Sequence, residues 1–379
     1  MARGCCPFAS SLRRAVPMSR FSGWSAAKRS FPSLSCFNAA AAGLASWASA
    51  GILSPAPESP AMISMVPLAK ASMSLYPALV ANVEEISGEK VGFRPKGTID
   101  VFFTKDAIPD LSTLIALHHG MGLKAEPLRP EDARELEPSL SPELEAAALR
   151  PEEASIDNRA LTHAMLTAAK RSGAEVFPGS SVTGIVQEAG RCTGLKLENE
   201  TVSAKWTVIA AGCFSAQIDG VKEFAPVRPA KGQMVSLRAD ALKIEHVIWG
   251  EKIYIVPRND GRILAGATVE YIGFDKQVTA GGIEKILSAA IEVIPEFADA
   301  RVEETWAGLR PDSPDHLPII GPTDIDGLVI ATGHFRSGVL LTPITARLIR
   351  QWITERSVGF DWERLSPMRF IEARRETTA

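Results

Sequence analysis

Five cysteines in 379 residues are too few to staple a chain of this length, and no two form a CxxC pair. Cys5, Cys6 and Cys36 fall near the start, while Cys192 and Cys213 stand alone, as free thiols in or beside a core would. No spacing of His and Cys suits a metal, and the adjacent His118 and His119 would point to different faces of a helix, so no metal site is expected. No run approaches the roughly 18 uninterrupted apolar residues of a spanning helix. The longest, Ala39 to Leu53, is broken by Gly43, Ser46, Ser49 and Gly51. Excess charge is missing too: the formal net charge is −3, which points to neither nucleic acid nor an anionic membrane. Glycine is plentiful, at 29 residues, yet nowhere forms Gly-x-Gly-x-x-Gly, the turn that seats a dinucleotide pyrophosphate on a helix N-terminus. Acid is absent from one region only. No Asp or Glu precedes Glu58, whereas Arg3, Arg13, Arg14, Arg20, Lys28 and Arg29 all do.

What is present is the composition of a globular protein, 46% hydrophobic and 22% charged, long enough for two domains. Ser46 to Gly51 is a run of small residues that lets backbone approach a flat ligand. Apolar spacing near 3.6 from Met62 to Ile86 predicts a helix interrupted at Pro77 and ended by Gly88. Helices are expected over 107–122, from Pro130 to Leu136, and from Asp157, as N-cap, to Ser172. Gly92 to Phe103 is expected to form a turn and then a strand, with strands also at 175–177 and 181–188 and a turn over 190–194. Trp206 to Ser215 is a short apolar run entering Gly and Ser, the form of a parallel strand meeting a ligand at its C-terminal end. Strands at 232–237, 252–256 and 261–269, a helix at 279–293, strands at 306–311 and 327–332, a helix at 342–353 and a short terminal loop at 361–367 complete the pattern. Interleaved strands and helices with a strand-rich block at about 223–304 indicate an α/β domain interrupted by an antiparallel α+β domain.

Several stretches, in order, carry a family likeness: Ser46-Trp-Ala-Ser-Ala-Gly-Ile-Leu-Ser-Pro55, Asp157-Asn-Arg-Ala-Leu161, Val208-Ile-Ala-Ala-Gly212, Lys231-Gly-Gln-Met234, Tyr254-Ile-Val-Pro-Arg258, Gly261 to Thr268, Trp306-Ala-Gly-Leu-Arg-Pro311, Pro318-Ile-Ile-Gly321 and Gly333 to Pro343. From Ser46 onward the chain resembles the D-amino-acid oxidase superfamily of FAD enzymes, and within it the glycine oxidases of thiamine biosynthesis. The resemblance implies a Rossmann-like FAD-binding domain (46–87, 148–222 and 305–379) and an inserted antiparallel-sheet substrate domain (88–147 and 223–304). It implies that Arg310 grips the substrate carboxylate, a task suited to a guanidinium fork, with Tyr254 and Arg336 beside the substrate. Ser46, Ala50, Gly51 and Ile52 would line the flavin, Val182 would meet the adenine part, and Ala211 and Gly212 would form a second flavin loop. Gly333, His334, Ser337, Gly338, Val339 and Leu340 would pack on the isoalloxazine ahead of the 342–353 helix. Gly232, Gln233 and Met234 are read as structural.

Met1 to Leu44 departs from this pattern, because it stands where the first βαβ unit and its glycine turn would be. The expectation is a segment 1–45 that is disordered or out of frame, leaving the first βαβ missing or scrambled, flavin binding weak and solubility poor. An Arg- and Ser-rich organelle transit peptide is the competing reading, and a helix around Ala39–Ala48 is the only structure its composition favours. The implied activity is FAD-dependent oxidation of glycine, sarcosine or a small D-amino acid to the imine or 2-oxo acid, ammonia and hydrogen peroxide. Oxygen and a thiazole synthase are the implied partners, with a homo-oligomeric state and a cytoplasmic location. The alternatives are a non-catalytic remnant and a quinone-linked D-amino-acid dehydrogenase.

Overall fold

A computed structural model of the chain describes residues 28–30, 35–38, 45–57, 60–104 and 107–378. Its largest element is an eight-stranded sheet in the order β17 (Arg301–Asp312), β13 (Arg228–Arg238), β16 (Arg262–Gly266), β15 (Tyr254–Pro257), β14 (Val247–Trp249), β4 (Thr98–Phe102), β6 (Ala146–Arg150), β5 (Glu126–Leu128). All its ladders are antiparallel except β14 with β4. Alternation along each strand divides the residues between two faces. Ile99, Val101, Val235, Leu237, Ile255, Ile263 and Ala265 face one side and pack with Ile286, Ala290 and Val293 of helix Ala280–Val293. Met234, Val247, Val256, Leu264 and Trp306 face the other and meet Ala48 and Ala50.

A second core is helical. Helix Val66–Ser87 contributes Leu68, Tyr76, Leu79 and Val83, and meets Leu161 and Ala164 of helix Asn158–Arg171 and Ile344 and Leu348 of helix Thr342–Glu355. Helix Val66–Ser87 continues unbroken through Pro77, which lies exposed, because the buried stripe on either side outweighs one missing backbone bond. With its leading 3₁₀ turn from Met62 it is long and apolar enough to cross a bilayer, but here its apolar stripe is core. Gly88, at φ 73°, ends it, and Asp157 caps helix Asn158–Arg171 by accepting from the amides of Arg159 and Ala160, both at 3.0 Å.

The third part holds β12 (Thr207–Ile209) parallel to β19 (Leu328–Thr332), with β18 (Ile319–Pro322) antiparallel beyond. Beside them run β9 (Val182–Glu188), β10 (Arg191–Leu197) and β11 (Thr201–Ser203). The hairpin turn sits at Ala189 and Gly190, not over 190–194, because these two residues supply the positive φ of 50° and 77°.

Several expectations are corrected. Within the stretch expected to be disordered, β1 (Lys28–Ser30) joins β11 in parallel and β2 (Ser35–Asn38) joins β8 (Glu175–Pro178) in parallel. Backbone pairing onto an open strand edge needs no hydrophobic pattern, so a polar segment could not reveal it. The other expectations for 1–44 lie outside the described residues. The expected domain boundaries at 147/148 and 304/305 fall inside β6 and β17, both members of the eight-stranded sheet. The terminal loop contains a 3₁₀ turn at Glu363–Leu365 and is followed by a helix, Met368–Thr378.

Candidate active site

The sheet face carrying Met234 and Trp306 also carries Arg310 and Tyr254, because all four share one register: Trp306 pairs with Met234, Met234 with Gly266, and Gly266 with Tyr254. Glycines clear this face. Any Cβ at Gly232 would collide with the Arg310 guanidinium, and one at Gly266 would strike Met234. Arg310 thus lies across Gly232 and donates from Nη1 to the Thr268 carbonyl at 3.1 Å. Tyr254 donates to Met234 Sδ at 3.3 Å and stands 5.6 Å from the Trp249 ring. Beyond Trp249 the face ends in a buried charge cluster, where Arg150 donates to Asp100 at 2.6 Å and to Glu153 at 2.8 Å. Burial raises the Asp100 carboxyl above its ordinary value despite this arginine.

The small-residue stretch 46–52 covers this face. Ala45–Ala48 forms one helical turn, and any Cβ at Gly308 would meet Ala48, which brings backbone and sheet close. Gly51 turns at φ 66°, where a Cβ would run into the Ile156 carbonyl, and leads into β3 (Ile52–Leu53), paired with β7 (Ala154–Ser155). Arg159 clamps the stretch: its Cζ lies 3.6 Å from the Trp47 ring centroid and 4.6 Å from that of Trp306, while its fork grips Glu304 at 2.8 and 3.1 Å. Arg258, on the same sheet face as Tyr254, donates to the Ala50 carbonyl at 2.7 Å and to Asn158 Oδ1 at 3.0 Å. Burial pulls its guanidinium down to about 10 against the opposing influence of Asp157.

The two other expected loops meet because β12 and β19 are parallel, so their C-terminal ends lie at one edge. Thr332 donates to the Gly212 carbonyl at 2.9 Å, tying Ala211–Gly212 to Gly333. From Gly333 the chain turns through Phe335, whose amide donates to the Pro311 carbonyl at 3.0 Å, next to Arg310 in sequence. Arg336 is exposed beside it, its Cζ 5.5 Å from the Phe335 ring. Desolvation pushes half-buried His334 down to about 4, and its Nε2 lies 3.0 Å from Thr345 Oγ1. Every carbonyl from 337 to 340 is occupied: Ser337 by the Leu341 amide, Gly338 by Thr342 Oγ1, Val339 by Tyr76 and Leu340 by Ser72.

The structure therefore brings Arg310 and Tyr254 together with Ser46, Ala50, Gly51 and Ile52, and sets Ala211, Gly212 and the 333–340 turn beside the end of β17. Val182 stands apart on β9, half-buried. Sequence reasoning passed over Trp47, Asn158, Arg159, Trp306 and Arg258, although all five sit inside the recognised stretches, and the last four brace the 46–52 backbone.

Comparison with known proteins decides the family. Residues 22–352 match the family described as FAD dependent oxidoreductase. The chain belongs to this family. Its cofactor is accordingly FAD. The family match starts ahead of Ser46, so it reaches into the stretch expected to be foreign. A glycine oxidase of Geobacillus kaustophilus is 32% identical over 331 residues, covering 86% of this chain and 88% of that protein. The crystal structure of glycine oxidase from Geobacillus kaustophilus superimposes with a TM-score of 0.84 at 29% identity, over 96% of this chain and 95% of that one. The bifunctional protein ThiO/ThiG of Trichormus variabilis is 34% identical over 82% of this chain and 47% of its own length. The chain spans about half the length of the bifunctional relatives it matches.

Described residues fit the ring end of FAD. Gly212, at φ 57°, has open space where a Cβ would stand, as close approach of a flat ligand requires. Each carbonyl of 337–340 already accepts a bond from the protein, so none of that turn's carbonyls is left unpaired to face an electron-rich ring edge. For the pyrophosphate end, the sequence offers no Gly-x-Gly-x-x-Gly.

Proposed function

We propose that this protein oxidises a small amino acid, glycine, sarcosine or a small D-amino acid, to its imine, which water converts to the 2-oxo acid and ammonia (methylamine in the case of sarcosine), with oxygen reduced to hydrogen peroxide. The observation that carries the reading is Arg310 laid across Gly232, three strands from Tyr254 on the face that 46–52 covers. Bound FAD supplies the two-electron acceptor chemistry. The protein's own residues position and shield. Arg310 takes the substrate carboxylate bidentately, its place held by the Thr268 carbonyl. Tyr254 borders the reacting carbon with a hydroxyl and a flat apolar ring, and Arg336 adds positive charge at the mouth. Met234, Trp306 and Ile52 surround the space with apolar surface and exclude water. The relatives named glycine oxidase support glycine as a substrate, and the bifunctional name ThiO/ThiG supports delivery of the product imine to a thiazole synthase.

The purified chain, supplemented with FAD and made anaerobic, is expected to lose its visible flavin absorption on adding glycine and to release peroxide when air returns. Bleaching without peroxide would replace the oxidase with a dehydrogenase. A spectrum indifferent to every small amino acid would overturn the reading.

A further inference from the structure

The backbone carbonyls of the 46–52 stretch are held from outside it. Those of Ser46 and Trp47 accept from Asn158 Nδ2 at 2.8 and 2.9 Å, and that of Ala48 from Trp306 Nε1 at 2.9 Å. Ala50 accepts from Arg258 and Gly51 from the Ile156 amide at 2.9 Å. Arg258 is the centre of this arrangement. Its second bond, to Asn158 Oδ1, fixes which end of that amide faces the loop, so one guanidinium acts on the Ala50 carbonyl and, through Asn158, on those of Ser46 and Trp47, which also accept from Ser49 Oγ at 3.3 Å and Arg159 Nε at 3.4 Å respectively. Only 6% of Arg258 is exposed, and its Nη1 has no hydrogen-bond partner. Among the described residues it forms no ion pair; the neighbouring Asp157 carboxylate is taken by Arg262 at 3.0 Å. Burying a guanidinium without a counter-ion is costly, and an apolar residue could fill the same space. A fixed fork is needed only if the geometry of its acceptors matters.

We propose that Arg258 is a positioning residue for the flavin-facing loop: directly through Ala50, and through Asn158 for Ser46 and Trp47, it sets the backbone conformation of residues 46–52 and with it the surface offered to FAD. The consequence for FAD rests on the functional reading above; the conformation of the loop does not.

Three variants, Arg258→Met, Arg258→Lys and Asn158→Ala, separate the two. Hydrogen exchange is measured on the flavin-free chain, and FAD affinity by titrating the quenching of flavin fluorescence. In Arg258→Met and Asn158→Ala the amides of 47–52 are expected to exchange at least about tenfold faster while those of β13 are unchanged, as local opening requires. FAD affinity is expected to fall by about tenfold or more. Arg258→Lys, which keeps a charged donor near Ala50, recovers part of both, whereas a packing role would be met equally well by methionine. Asn158→Ala leaves the buried charge in place and serves if Arg258→Met does not fold. Unchanged exchange over 47–52, or methionine performing as well as lysine, overturns the assignment. If the unaltered chain takes up no FAD but its loop responds, the flavin reading fails and the positioning role stands. If FAD binds and the loop does not respond, the positioning role fails alone.

Discussion

Arg310 shows how much one side chain depends on its neighbours' lack of bulk. Its fork lies over the place a Gly232 side chain would occupy, and one of its nitrogens is spent on the Thr268 carbonyl. Arg310→Met removes charge-assisted bonds worth about 1.5–3 kcal/mol. Steady-state kinetics are then expected to show kcat/KM for glycine lower by about 10- to 150-fold, mostly through KM, since the carboxylate is held in ground and transition states alike. His334 gives a pH signature. Its value of about 4, against an ordinary 6.5, means the unfolded chain takes up this proton first. The ring's contribution to stability is therefore fully present above about 6.5 and is lost as pH falls toward 4. Denaturant midpoints at pH 7, 5.5 and 4.5 are expected to fall less steeply in His334→Gln. Of these two residues, Arg310 was legible from its Gly-Leu-Arg-Pro setting. The depression of His334 was not, because desolvation is a property of what surrounds a ring and not of the residues beside it in the chain.

At the scale of elements, helix Val66–Ser87 acts on the 333–340 turn through Tyr76 and Ser72, which hold the Val339 and Leu340 carbonyls and are themselves fully buried. Removing the Ser72 hydroxyl strands the Leu340 carbonyl, so Ser72→Ala is expected to lower unfolding free energy by about 1–3 kcal/mol, whereas the Val339 carbonyl keeps the Thr342 amide at 3.1 Å and Tyr76→Phe is expected to cost about 0.5–1.5 kcal/mol. Gly51→Ala tests the other loop. With φ at 66° and the Ile156 carbonyl where the Cβ must go, a loss of about 2 kcal/mol or more is expected in chemical denaturation. Periodicity found helix Val66–Ser87 and its Gly88 stop, and capping chemistry found Asp157. Propensity misjudged Pro77, since a buried stripe on both sides overrides a local break. It also missed β1 and β2, whose only warrant is the edge each pairs with.

For the molecule as a whole, the unanswered demand is the pyrophosphate of FAD. The sequence holds no Gly-x-Gly-x-x-Gly to seat that pyrophosphate on a helix N-terminus, and ready exchange of the dinucleotide is the expected consequence. Gel filtration is expected to strip flavin from the protein, and excess FAD to restore the absorbance; a chain that stays yellow through the column would refute this. By itself the sequence determined the family, the mixed α/β architecture and the residue types at the site, because those follow from hydrophobic period, turn chemistry and motif order, all properties of neighbours along the chain. Only the tertiary structure decided that one face of one sheet gathers Arg310, Tyr254, Trp306 and Arg258. Only it decided that Asn158, Arg159 and Arg258 close on the 46–52 backbone from residues over a hundred positions away. Strand register and the pairing of distant edges fix those meetings, and neither is written in any local stretch.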